Sequence, residues 1–75
     1  MTFEEILPKI KQGEKALRRI WKGGELYIKL ADPKEFEGQP LTPYFLIMVE
    51  GEGYSMFQPT VCDILAIDWF VVEDK

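Results

Sequence analysis

One cysteine (Cys62) and no histidine in 75 residues deny this chain the two staples that small domains most often use. A lone thiol cannot bridge within the chain, and without histidine no zinc-type ligand set assembles. At this length folding hides only roughly 60% of the extended chain's surface, so an isolated monomer is marginal. Self-association is the remaining route to stability. The chain is 47% apolar, with five phenylalanines, three tyrosines and two tryptophans, which is enough for an interface as well as a core. The expectation is one small domain over 1–75 that forms a homo-oligomer, a dimer or a tetramer.

The same shortage limits chemistry. Ser55 is the only serine, and without histidine no Ser–His or Cys–His nucleophile pair exists. No catalytic residue, metal or cofactor is expected. A net charge of −4 disfavours a nucleic-acid polymer or an anionic membrane as partner. No apolar run approaches the roughly 20 residues that span a bilayer. The first residues, Met1-Thr2-Phe3-Glu4-Glu5, are acidic where a signal peptide is basic, and with the unpaired cysteine this predicts the cytoplasm.

Charge is unevenly placed. Residues 1–22 carry six basic side chains against three acidic ones, whereas residues 23–75 carry three against ten. A locally positive segment in an acidic chain suits a small anionic ligand better than a long polyanion. Lys9, Lys11 and Lys15 read as a solvated helix face. Arg18 and Arg19 sit in an apolar stretch and call for another explanation.

Local patterning predicts an α+β fold. Thr2 with Glu5 forms a capping box, and Phe3, Ile6, Leu7 and Ile10 recur at helical spacing. Pro8 inside that stripe predicts a kink or a fragmented first turn, and Gly13 a left-handed stop. Ala16–Trp21 reads as a strand, Lys22-Gly23-Gly24 as a turn, and Leu26–Leu30 as a second strand. Residues 31–43 read as one long loop. Tyr44–Glu50 is a nearly unbroken apolar run, expected to be buried on both faces, and Gly51-Glu52-Gly53 turns it into a hairpin with Tyr54–Phe57. Thr60 and Asp63 cap a short helix reaching Ala66 or Ile67. Asp68–Glu73 closes an antiparallel sheet of about five strands as a strand covered on both faces.

Two clusters carry possible chemistry. Trp21 stands at the lip of Lys22-Gly23-Gly24, where glycines let a ligand approach and free amides face phosphate oxygens. An indole there offers a stacking face for a base, and Arg18, Arg19 and Lys22 supply charge. An ordinary hairpin tip with a core or interface tryptophan has the same composition, and on composition alone that reading leads. The second cluster holds Asp63, most simply a helix cap, with Asp68 and Trp69. Asp68 either closes a turn or accepts from ribose hydroxyls. Trp69 either packs in the core or forms the second wall of a base-stacking slot. A glycosidase-like pair from Asp63 and Asp68 ranks low. Cys62 reads as a small buried hydrophobe.

The segments Phe3-Glu4-Glu5-Ile6, Leu17-Arg18-Arg19-Ile20-Trp21-Lys22-Gly23, Leu26-Tyr27-Ile28 and Asp63-Ile64-Leu65-Ala66-Ile67-Asp68-Trp69 occur here in order. Together they resemble the Thoeris anti-defence proteins of the second type, short phage and bacterial proteins, over nearly the whole chain. The resemblance implies a sponge rather than an enzyme. Such a protein is a cytoplasmic homo-oligomer that binds cyclic ADP-ribose isomers, and in some members cyclic dinucleotides, and holds them intact. It implies ligand-binding roles for Arg18, Trp21, Gly23, Tyr27, Asp63, Asp68 and Trp69, with the two tryptophans stacking on base or ribose. Lys22 replaces the usual Asn and Ile20 the usual Gly, and Lys22 joins the expected site as a cation. The alternative reading is a small protein–protein module whose aromatic patch inhibits a host protein.

Overall fold

The computed structural model describes residues 1–73. Thr2 opens helix α1 (Phe3–Lys11) with a reciprocal box: its hydroxyl accepts from the Glu5 amide at 3.2 Å, and its own amide donates to the Glu5 carboxylate at 2.9 Å. The helix is not fragmented at Pro8 but runs through it as nine residues. Pro8 removes only the amide that would reach the Glu4 carbonyl, and Glu4 is exposed, so solvent takes that carbonyl. Gly13, at φ 98°, turns the chain out of the helix as expected.

Strands β1 (Lys15–Arg18), β2 (Glu25–Ala31), β5 (Tyr44–Val49), β6 (Gly53–Phe57) and β7 (Trp69–Val72) form one antiparallel sheet in the order β6-β5-β2-β1-β7. Helix α2 (Val61–Leu65) lies between β6 and β7. This is the predicted α+β arrangement. Strand β1 stops at Arg18, three residues before the expected end, because Asp68 takes the amide of Ile20 and bends the chain away.

Residues 31–43 are not a plain loop. Strands β3 (Glu35–Phe36) and β4 (Gln39–Pro40) pair as a separate hairpin. Glu37 and Gly38 carry φ of 52° and 80°, the two positive values that a type I′ turn needs. A short Glu-Gly turn signal lay hidden among Pro33, Pro40 and Pro43.

The core lies on one side of the sheet. Phe3, Ile6 and Ile10 of α1 pack on Ala16, Ile28 and Trp69, with Leu30, Phe45, Ile47, Phe57 and Val71 around them. Neither apolar strand is covered on both faces. All six residues of β5 are half-buried, and only Trp69 is buried in β7. Both helices cover the same sheet face. Cys62 is exposed, contrary to expectation, because the five-residue α2 buries only Asp63.

Candidate functional site

Strand β1 delivers Arg18 at its end, and the side chain runs toward α2. Its Nη1 donates to Asp63 Oδ1 at 2.8 Å and its Nε to Asp68 Oδ1 at 2.9 Å. The other Asp68 oxygen accepts from the Ile20 amide at 3.0 Å, and the Asp68 carbonyl accepts from the Arg19 amide at 3.1 Å. Asp63 is 6% exposed. It closes a second capping box, accepting from the Thr60 amide at 2.9 Å and the Thr60 hydroxyl at 3.0 Å. One guanidinium thus ties the end of β1 to the start of α2 and to the entry of β7.

Ionisation follows from these contacts. Burial alone would raise the Asp63 carboxyl, but hydrogen bonds from Thr60 and the charge-assisted bond from Arg18 outweigh it and hold it below its ordinary value. The Arg18 hydrogen bond chiefly lowers Asp68, and the Asp68 bond raises Arg18 in turn. Both carboxylates are charged at neutral pH, so neither stands ready as a general acid. With two carboxylates on one guanidinium, the cluster carries net −1, and Arg18 is a cross-link rather than a free cation for phosphates.

The loop 19–24 is built on that cross-link. The Trp21 amide donates to the Arg18 carbonyl at 3.2 Å, and the Gly24 carbonyl accepts from the Glu50 amide at 2.8 Å. Trp21 is half-buried. Its ring meets Trp69 edge-on at 5.4 Å and Phe57 at 5.7 Å. Trp69 is 1% exposed and donates its indole N–H to the Asp63 carbonyl at 2.8 Å. The two indoles therefore touch, and no slot for a planar ring separates them. In the protomer Trp69 is core, and Trp21 is the partly open ring.

Lys22 and Gly23 are exposed at the tip of the loop. A Cβ on Gly23 would lie 2.7 Å from Glu25 Oε2. That carboxylate oxygen is buried and has no hydrogen-bond partner among the described residues. Glu25 and Phe57 are the site residues that the sequence reading missed. The acid directly after Gly23-Gly24 was a visible signal, whereas Phe57 reaches Trp21 only through the fold. Tyr27 does not join the others. It lies on the opposite face of the sheet, where its hydroxyl bonds to that of Tyr54 and Lys15 Nζ stands 4.5 Å from its ring.

Two segments some forty residues apart, 18–23 and 63–69, thus meet through Arg18, and the similarity to known proteins spans both. The family model of the Thoeris anti-defense 2-like domain matches residues 1–72. The chain belongs to this family. No curated protein matches it. The Thoeris anti-defense 2-like match carries, in the family's name, an anti-defence role, and it places both converging segments inside one domain model. Among the described residues no helix is long and apolar enough to cross a membrane, and no cluster of His, Cys, Asp and Glu could hold a metal ion.

Proposed function

We propose that this protein binds a cyclic nucleotide immune signal at the loop 19–24 and sequesters it without degrading it. Cyclic ADP-ribose isomers are the first class to consider and cyclic dinucleotides the second. The observation that carries the reading is the convergence of the two family segments on one half-buried ring. Trp21 is backed by Trp69 and Phe57 and fixed from below by Arg18, so its position is set before a ligand arrives. Preorganisation of this kind supports tight binding, because little freedom is lost on association. Lys22 is the cation at the tip of the loop, and the free backbone of Gly23 lets a ligand come close.

A single protomer offers only a shallow seat, and a second copy would wall it. Ile20, Val61, Leu65 and Ile67 are between 62% and 78% exposed. The Ile20 amide on Asp68 brings Ile20 beside the segment that follows α2. This apolar patch borders the Trp21 loop and supports the expected homo-oligomer.

The test is retention. Purified protein is incubated with cyclic ADP-ribose isomers and cyclic dinucleotides, filtered, and then heat-denatured. The ligand is expected to leave the filtrate and return unchanged on heating. Trp21→Ala is expected to abolish the loss while the far-ultraviolet spectrum stays that of the parent. A degraded product on heating would overturn sequestration, and ligand left in the filtrate would overturn nucleotide binding.

A further inference from the structure

Strand β2 is irregular at the end that leaves the Trp21 loop. Glu25 stands opposite Val49 and Tyr27 opposite Met48, so β2 has one extra residue, Leu26, between neighbouring partners. A bulge of this kind re-aims the side chain next to it. Unbroken alternation would set Glu25 on the face of Tyr27. The bulge sets it instead with Val49, two residues from the core-packed Ile47, on the face that holds Trp21 and Phe57.

The loop makes room for that carboxylate. Gly24 lies over the Val49 side chain, where a Cβ would stand 3.4 Å from Cγ1, and a Cβ on Gly23 would stand 2.7 Å from Glu25 Oε2. Any side chain at 23 would displace Glu25. Yet the acid gains no partner in this place, because Oε2 is buried and, among the described residues, accepts from nothing. Arg18, at the start of the loop, is engaged by Asp63 and Asp68. A buried acceptor without a donor lowers stability. A native group of this kind calls for a reason, and a ligand site is where a destabilising group is kept.

The absent partner is a donor, and a sugar hydroxyl fits. A carboxylate repels phosphate and the acceptor edges of a base, but it takes a hydroxyl in a short, charge-assisted bond. An acid on a ribose hydroxyl is the pairing that dinucleotide-binding folds use. Glu25 as a whole is half-buried, and a carboxylate turns easily about its last bond, so an approaching hydroxyl meets either oxygen. Asp68, the ribose acceptor considered from the sequence, has one oxygen on Arg18 and the other on the Ile20 amide. Lys22, exposed at the tip, and Glu25 beneath it divide a nucleotide, phosphate toward solvent and ribose toward the sheet.

We propose that Glu25 is the specificity-determining residue of the Trp21 site and accepts a hydrogen bond from a free ribose hydroxyl of the bound nucleotide. This inference rests on the nucleotide-binding reading and adds which part of the ligand is read, and by which group.

The experiment is equilibrium dialysis of the parent, Glu25→Gln and Glu25→Met, with circular dichroism to verify the fold and thermal scans without ligand. The probes are cyclic ADP-ribose isomers and cyclic di-AMP, each beside an analogue in which hydrogen replaces the free ribose hydroxyls. Glu25→Met is expected to weaken the ribose probes about tenfold or more, and Glu25→Gln, which keeps one acceptor oxygen, to weaken them less. The deoxy analogues are expected to bind parent and variants alike, and Glu25→Met to melt above the parent. The inference alone is overturned if the ribose probes bind Glu25→Met as they bind the parent. It is overturned equally if the deoxy analogues lose as much as the ribose probes, or if Glu25→Met melts below the parent. A parent that binds none of the probes overturns nucleotide binding itself, and this inference with it.

Discussion

Arg18 pairs with the buried Asp63, and Arg18→Met strands that charge. Methionine keeps the length of the aliphatic stem and deletes the guanidinium. Asp63, 6% exposed, then loses the 2.8 Å bond from Nη1 but retains both Thr60 donors. Breaking a buried pair from one side costs about 3–5 kcal/mol, and the surviving Thr60 contacts place this case at the lower end, about 3 kcal/mol. A domain of this length holds about 4–11 kcal/mol in total, so the loss is a large share of it. The expected fall in melting temperature is about 12–24 °C. A thermal scan followed by tryptophan fluorescence measures that shift and urea unfolding the loss of free energy, both at fixed protein concentration because self-association would make stability depend on concentration. The double variant Arg18→Met with Asp63→Asn separates causes. The amide oxygen introduced at position 63 still accepts from Thr60 and no buried charge is stranded, because Asp68 is partly exposed and keeps the bond from the Ile20 amide, so most of the loss should return. A single variant within about 0.5 kcal/mol of the parent would refute the buried cross-link. A double variant no better than the single would refute the stranded charge as the cause.

Acid should unfold the protein through the same cluster. Asp63 and Asp68 are lowered in the fold, so their contribution is complete above the ordinary carboxylate range near pH 4 and is lost as pH falls through their lowered values. Urea midpoints taken from pH 7 to 3 should drop in that window, and the Asp63→Asn, Asp68→Asn variant should show a flatter profile. Glu25→Met removes a buried carboxylate oxygen that has no partner among the described residues and should raise stability by about 1–2 kcal/mol. A lower melting temperature would show that the oxygen is satisfied. Pro8 is exposed in mid-helix, so Pro8→Ala restores an amide that donates to the Glu4 carbonyl and should stabilise by about 1–3 kcal/mol. An unchanged thermal midpoint would count against that account.

Features set by residues close in sequence were legible before the fold was known. Both capping boxes depend on residues three apart, and Thr2–Glu5 and Thr60–Asp63 form as their spacing implies. Apolar runs marked the strands. They could not say that β5 is covered on one face only, because that depends on where both helices come to lie. The end of β1 was misplaced for a related reason. Ala-Leu-Arg-Arg-Ile-Trp looks extended, and the acceptor that bends it at Ile20 sits 48 residues away on Asp68. Resemblance to the family picked out the converging segments, yet it did not say which ring is open. Trp21 and Trp69 are alike in a motif, and only packing against Phe3, Phe57 and each other makes one core and leaves the other at the surface.

That division of labour bears on how the proposed site would choose a ligand. Arg18 was the natural phosphate anchor in the sequence, but its charge is already engaged by two carboxylates, and the cluster beneath the loop is net negative. Lys22 is exposed and strongly screened. The Glu25 carboxylate beside Gly23 adds further negative charge at the loop. A ligand there gains little from bulk anionic charge, so discrimination must come from the face of Trp21 and from hydrogen bonds with the loop backbone and Glu25. Affinity should therefore weaken only modestly with added salt, in contrast to a site that neutralises phosphates by paired cations. It should respond far more to loss of the Trp21 ring than to Lys22→Ala.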